Sequence, residues 1–246
     1  MGSTLKGVEF KNFTDEKAEL YFYGDIVSDS WGAWEQEDQY PDAVKNLLKD
    51  VEGKDLDVFI NSGGGSVFAG IAIYNMLRRH AEKNKVKVHV DGLAGSIASV
   101  IAFAGSEPPE IPKNAFLMIH KPWTGLYGNA KDFRKMADDL DKIEGGILKA
   151  YEDHLKEGVE IETIKKLVDE ETWLNGEEAA ESFEVEMTEA EEYAAATSDY
   201  VLKVCGKIPE QFKAKPKNAQ QLQIDKEQKE KRDRIKQMMI AGLTEE

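Results

Sequence analysis

One cysteine, Cys205, stands in 246 residues. A lone thiol closes no disulfide within the chain and builds no thiolate metal site, which fits a reducing compartment. Nothing in the sequence calls for a metal or a cofactor. Histidine is scarce as well, with four in all, His80, His89, His120 and His154. No apolar run approaches the roughly 20 residues that a bilayer-crossing helix needs, so no membrane role is expected. Residues 1–13 lack the apolar centre of a secretory leader, and the expected location is the cytoplasm. Positive charge is also short: 32 Lys and Arg stand against 47 Asp and Glu, a net charge of −15. Such a chain repels phosphate backbones, which argues against nucleic acid as a partner.

What is present is a soluble globular balance, 41% hydrophobic and 32% charged. The length suits one medium domain with appendages. Composition divides it into a short N-terminal segment (1–17), a main domain (18–205) and a charged tail (206–246). The tail carries a net +3 against −18 for the remainder, and reads as a flexible or partner-binding segment. Alternating, aromatic-rich residues predict a strand over 18–27. Strands follow at 56–60, 86–90 and 115–119, and helices at 40–51, 66–80 and 96–104. This alternation predicts an α/β layer on a largely parallel sheet. Residues 131–155 form a long amphipathic helix with Phe133, Met136, Leu140, Ile143, Ile147 and Tyr151 on one stripe. Shorter helices are expected at 161–168 and 177–183.

Four pieces could carry chemistry. Gly63, Gly64 and Gly65 follow a strand and open a helix. They form either a plain tight turn or a cradle of backbone N–H groups for an anion, a phosphate or a developing oxyanion. The lysine of a phosphate-binding loop is absent. Ser96 opens a small apolar helix, as an N-cap or as a nucleophile that gains from the helix dipole. His120 ends an apolar strand, where α/β sheets present their active groups. The acidic run Asp169, Glu170 and Glu171 is a solvated turn, or supplies a carboxylate that orients an imidazole. If that run is extended, Asp169 and Glu171 face the same side, and geometry alone does not choose between them.

Taken in order, these segments resemble the ClpP family of serine peptidases. Asn61-Ser62-Gly63-Gly64-Gly65 is similar to that family's glycine loop, with Gly63 in place of a proline. Gly92-Leu93-Ala94-Gly95-Ser96 is similar to its nucleophile segment, with Gly95 in place of an alanine. Met118-Ile119-His120-Lys121-Pro122 resembles its histidine segment. Residues 128–132 resemble the opening of its long handle helix, and residues 171–179 the segment around its third triad member. The resemblance spans about residues 18–185. It implies a ClpP/crotonase-type α/β fold with a protruding handle helix, and a triad of Ser96 as nucleophile, His120 as base and Glu171 as acid, where the family usually has Asp. It further implies an oxyanion hole from the N–H groups of Gly65 and Ile97, and a substrate-binding segment of Gly125, Leu126, Tyr127 and Gly128 that pairs with an extended peptide. Protein or peptide substrates and homo-oligomeric rings, heptameric and stacked through the handle, belong to the same implication.

The Glu171–Leu174 form and the charged tail look most like the phage and prophage members that mature capsids, whose setting would be the procapsid. The N-terminal segment shows no visible match to the loop through which housekeeping members meet an AAA+ ATPase, so that partnership stays open. Rival readings are a housekeeping ATP-dependent Clp subunit, a crotonase-like acyl-CoA enzyme on the same fold, and a non-catalytic assembly scaffold.

Overall fold

A computed structural model describes residues 10–11, 14, 16–28 and 40–189. Cys205, the tail and the first nine residues lie outside the described residues. The chain runs β1 (Phe10–Lys11), β2 (Lys17–Phe22), α1 (Pro41–Asp50), β3 (Asp55–Ser62), α2 (Val67–Ala81), β4 (Val86–Gly95) and α3 (Ile97–Ala102). It continues with β5 (Glu110–Pro112), β6 (Phe116–Ile119), α4 (Ala130–Glu152), α5 (Ile161–Asp169), β7 (Thr172–Asn175), α6 (Gly176–Ser182) and β8 (Glu186–Thr188). The strands form one sheet in the order β1-β2-β3-β4-β5-β8, and β6 branches from β4 to pair with β7. All pairings are parallel except β1 with β2 and β6 with β7. This is the α/β layer with a largely parallel sheet that the alternation predicts.

The core follows from the period of two in each strand. Leu20, Val58 and Val88 pair in register across β2, β3 and β4, and all three are fully buried. Each such aliphatic side chain contributes about 1.5–3 kcal/mol on leaving water. Buried residues of α1, α2 and α3 join this cluster. The opposite face of the same strands carries Tyr21, Phe59 and His89, stacked ring on ring at 4.7 and 4.8 Å.

Several element bounds differ from expectation. The first strand stops at Phe22 rather than running to 27, although Ile26 makes an isolated bridge to Gly65. β4 does not end at 90 but continues to Gly95. The pairing jumps from Ile60 opposite Val90 to Ser62 opposite Ala94, so β4 carries extra residues there. Such a bulge re-aims a strand. Below it His89 pairs with Glu110 of β5; above it Leu93 to Gly95 pair with β6. Gly92 to Gly95, which lie beyond the expected strand, are therefore part of the strand that leads into Ser96. β5, β7 and β8, of three to four residues each, were not expected.

α4 ends at Glu152, three residues short of its expected end at 155. Asn129 caps it in a capping box with Asp132, and Asn175 with Glu178 caps α6 in the same way. The C-terminal half of α4 buries Glu144, Ile147 and Tyr151. Its N-terminal half stands away from the body of the fold, with Phe133 52% exposed. The sequence stripe is thus core at one end and open at the other, as a protruding handle requires.

Candidate active site

The site forms where β4, β6 and the loop after β3 meet. Ser96 sits between β4 and α3 with φ 51° and ψ −126°. Among the described non-glycine residues only Ser96 and Glu171 take a positive φ. Such backbone costs on the order of 1–3 kcal/mol and persists only where surrounding structure over-determines it. For Ser96 the constraint is visible. Its N–H donates to the Met118 carbonyl at 2.7 Å, pinning the strand-to-helix elbow to β6. A sharp strand-to-helix turn of this kind lifts a serine hydroxyl clear of its own backbone. Ser96 occupies the N-cap position of α3 but makes no side-chain cap bond there.

The hydroxyl is taken up instead by His120, whose Nε2 lies 2.8 Å from Ser96 Oγ. His120 directly follows β6. Burial holds its imidazole below the ordinary value, and the negative charge of Glu171 acts against that shift. The acidic run is not extended: α5 continues through Asp169, and Glu171 turns back at φ 52° with its N–H on the Val168 carbonyl at 3.3 Å. The premise that both carboxylates face one side is therefore corrected. Asp169 points its carboxylate at Lys121 Nζ, 2.7 Å away. Glu171 is the residue whose charge acts on His120.

The glycine loop lies against the nucleophile. A side chain on Gly64, which has φ +97°, would meet Gly95 O at 2.5 Å and Ser96 Cβ at 2.7 Å. Ser62 supports the loop from below, donating to Gly24 O at 2.6 Å and accepting from the Gly64 N–H at 3.1 Å. The chain after β2 zips onto it: Ile26 N–H donates to Gly64 O at 2.8 Å, and Ser66 N–H donates to Ile26 O at 2.7 Å. A Cβ on Gly65 would fall 2.1 Å from Ile26 O. Gly65 and Ile97, the expected oxyanion donors, thus lie in the segments that flank Ser96. Gly125, Leu126, Tyr127 and Gly128 form no strand and are largely exposed, Tyr127 completely so.

Sequence reading missed the support behind the nucleophile. Ser99 is fully buried; its hydroxyl donates to the Ser96 carbonyl and lies 2.7 Å from the Tyr151 hydroxyl. Burial pushes the Tyr151 phenol far above its usual range, so it stays neutral. The signal was faint: a tyrosine on the buried end of a stripe that otherwise reads as apolar.

Comparison with known proteins identifies the family. The Clp protease family profile matches residues 36–182. The chain is 32% identical over 131 residues to the ATP-dependent Clp protease proteolytic subunit of Bacteroides fragilis, covering 52% of this chain and 61% of that one. It is 33% identical over 129 residues to subunit 2 of Thermobifida fusca, covering 52% and 62%, and 34% identical over 128 residues to subunit 3 of Streptomyces coelicolor, covering 52% and 57%. The matched region thus spans about three fifths of these relatives. The match runs over β3 to β7 and takes in the positions of the glycine loop, Ser96, His120 and Glu171; by this match over more than half of its length the chain belongs to the Clp protease family.

Proposed function

We propose that the chain is a serine endopeptidase that hydrolyses peptide bonds with Ser96, His120 and Glu171. The observation that carries this reading is the 2.8 Å contact between His120 Nε2 and Ser96 Oγ at a strained elbow. Neutral His120 accepts the Ser96 proton as Oγ attacks the substrate carbonyl. The imidazolium then protonates the leaving amine, and water hydrolyses the acyl-enzyme by the same steps in reverse roles. Glu171 stabilises the imidazolium. The N–H groups of Gly65 and Ile97 hold the oxyanion, and residues 125–128 add the substrate as an extended strand.

The active form is a homo-oligomeric ring, heptameric and stacked through α4. The exposed N-terminal half of that helix supports this, because Phe133 at the open end of the stripe is 52% exposed. For its setting we favour phage capsid maturation, on the Glu171–Leu174 segment and the charged tail. The relatives' name, ATP-dependent Clp protease proteolytic subunit, supports the other setting, with an ATPase partner. The test is hydrolysis of a fluorogenic peptide and of an unfolded protein by the purified full chain, with and without an added AAA+ unfoldase and ATP. Cleavage that is abolished in Ser96→Ala supports the endopeptidase. Cleavage that survives the substitution overturns it. Dependence of protein cleavage on the unfoldase assigns the housekeeping setting instead.

A further inference from the structure

Lys121 directly follows His120, and its ammonium joins three separate elements. Its Nζ lies 2.7 Å from Asp169 Oδ1 and 3.6 Å from Glu144 Oε2. Asp169 is the last residue of α5, two residues before Glu171. Glu144 lies on the inner face of α4 and is only 7% exposed. A carboxylate so deeply placed is costly unless a cation is near, and Lys121 is that cation. The bond to Asp169 is the largest influence on Lys121 and raises its pKa, with the Glu144 charge acting in the same direction. The ammonium therefore remains charged wherever the imidazole titrates.

Glu171 needs an external restraint. Its positive φ is an unfavourable backbone state that neighbouring structure must hold. Lys121 supplies one such hold from the residue beside His120 to the residue two before Glu171, so that the two groups are tied from both sides. We infer that Lys121 is a positioning residue: through Asp169 and Glu144 it fixes the turn that presents Glu171 to His120. This inference rests on the endopeptidase reading of the site. Lys121 and Asp169 side chains are 50% and 46% exposed. An ion pair at that exposure contributes little to global stability, which separates a positioning effect from unfolding.

The test compares wild type, Lys121→Met and Lys121→Arg in peptide hydrolysis across pH. Methionine keeps the aliphatic stem and removes the charge. The expected result is a kcat lower by at least about tenfold with KM within about twofold, as small misplacements of catalytic groups produce. The acid limb of the pH profile should also move to lower pH, because an imidazolium that loses Glu171 is less stable. Arginine should restore most of the lost turnover. A merely structural role would lower the active fraction and leave the limb where it was. Wild-type turnover and an unmoved limb in a folded Lys121→Met protein overturn the inference, while the endopeptidase reading stands. Were Lys121→Met to lose its thermal transition, Lys121→Gln and Asp169→Asn provide the same reading, and an unmoved limb in both is the overturning result. Wild type that hydrolyses nothing defeats the endopeptidase reading itself, and with it the inference.

Discussion

His120 and Glu171 occupy the step that follows Ile119 and Thr172 in the antiparallel pairing of β6 with β7. That register sets Phe116 opposite Asn175, Leu117 opposite Leu174, Met118 opposite Trp173 and Ile119 opposite Thr172. One step further lies the histidine on one chain segment and the glutamate on the other. Two short strands, each of four residues, therefore bring the segments that carry His120 and Glu171 side by side. The same β6 holds Ser96 through the Met118 carbonyl, so one strand aligns all three groups.

The proposed acid is Glu171, and Asp169 is the alternative to test against it. Glu171→Gln should lower kcat by at least about a hundredfold, below the roughly 10⁴-fold loss known for an amide at this position of a triad. Asp169→Asn should lower it by only about tenfold, the loss expected when the tie to Lys121 is cut. The two variants, measured side by side in peptide hydrolysis, check the assignment. A larger loss in Asp169→Asn would reverse it.

The pH dependence has a defined sign. Burial depresses the His120 pKa, so the neutral base persists to lower pH than for a free imidazole. kcat/KM should rise with pH and reach half its plateau below the ordinary value of ~6.5. The Glu171 charge opposes the depression. Glu171→Gln should then move the midpoint lower still, along with its loss of rate. A midpoint above that of free imidazole contradicts this placement of His120.

Gly64→Ala probes the loop behind the nucleophile. The new methyl group would sit 2.5 Å from Gly95 O at a φ of +97°. The loop must shift away from Ser96, at a cost of about 1–3 kcal/mol. Thermal unfolding should show the loss, and hydrolysis should fall by more than the folded fraction does.

Assembly is tested on the handle. Leu140→Asp places a charge on the α4 stripe beyond the buried end at Glu144, Ile147 and Tyr151. The mass from light scattering should drop while circular dichroism stays that of the wild type. A wild type that is monomeric at micromolar concentration contradicts the ring.

The sequence made the helical face of the sheet readable because its strands alternate and its helices carry apolar residues at helical spacing, as in Val67, Ile71 and Tyr74 of α2. β5, β7 and β8 were hidden because three or four residues hold too little pattern to distinguish a strand from a turn. β4 was read too short since its glycines, Gly92 and Gly95, mark turns more often than strands. In the site, Ser96 and His120 were legible from local motifs. Glu171 was legible only by resemblance, because its selection depends on a left-handed turn and on strand register. The Ser99–Tyr151 bond and the Lys121 contacts join residues far apart in the chain, and no local pattern announces them.

The central claim is that Ser96 is an activated nucleophile. A hydroxyl 2.8 Å from a neutral imidazole reacts with a fluorophosphonate, whereas an ordinary serine does not. Incubation of the full chain with such a probe, followed by intact mass and peptide mapping, measures this directly. The account predicts one adduct per chain, on Ser96, absent from Ser96→Ala and retained in Ser99→Ala. No adduct on the wild-type chain, or an adduct on another residue, would contradict it.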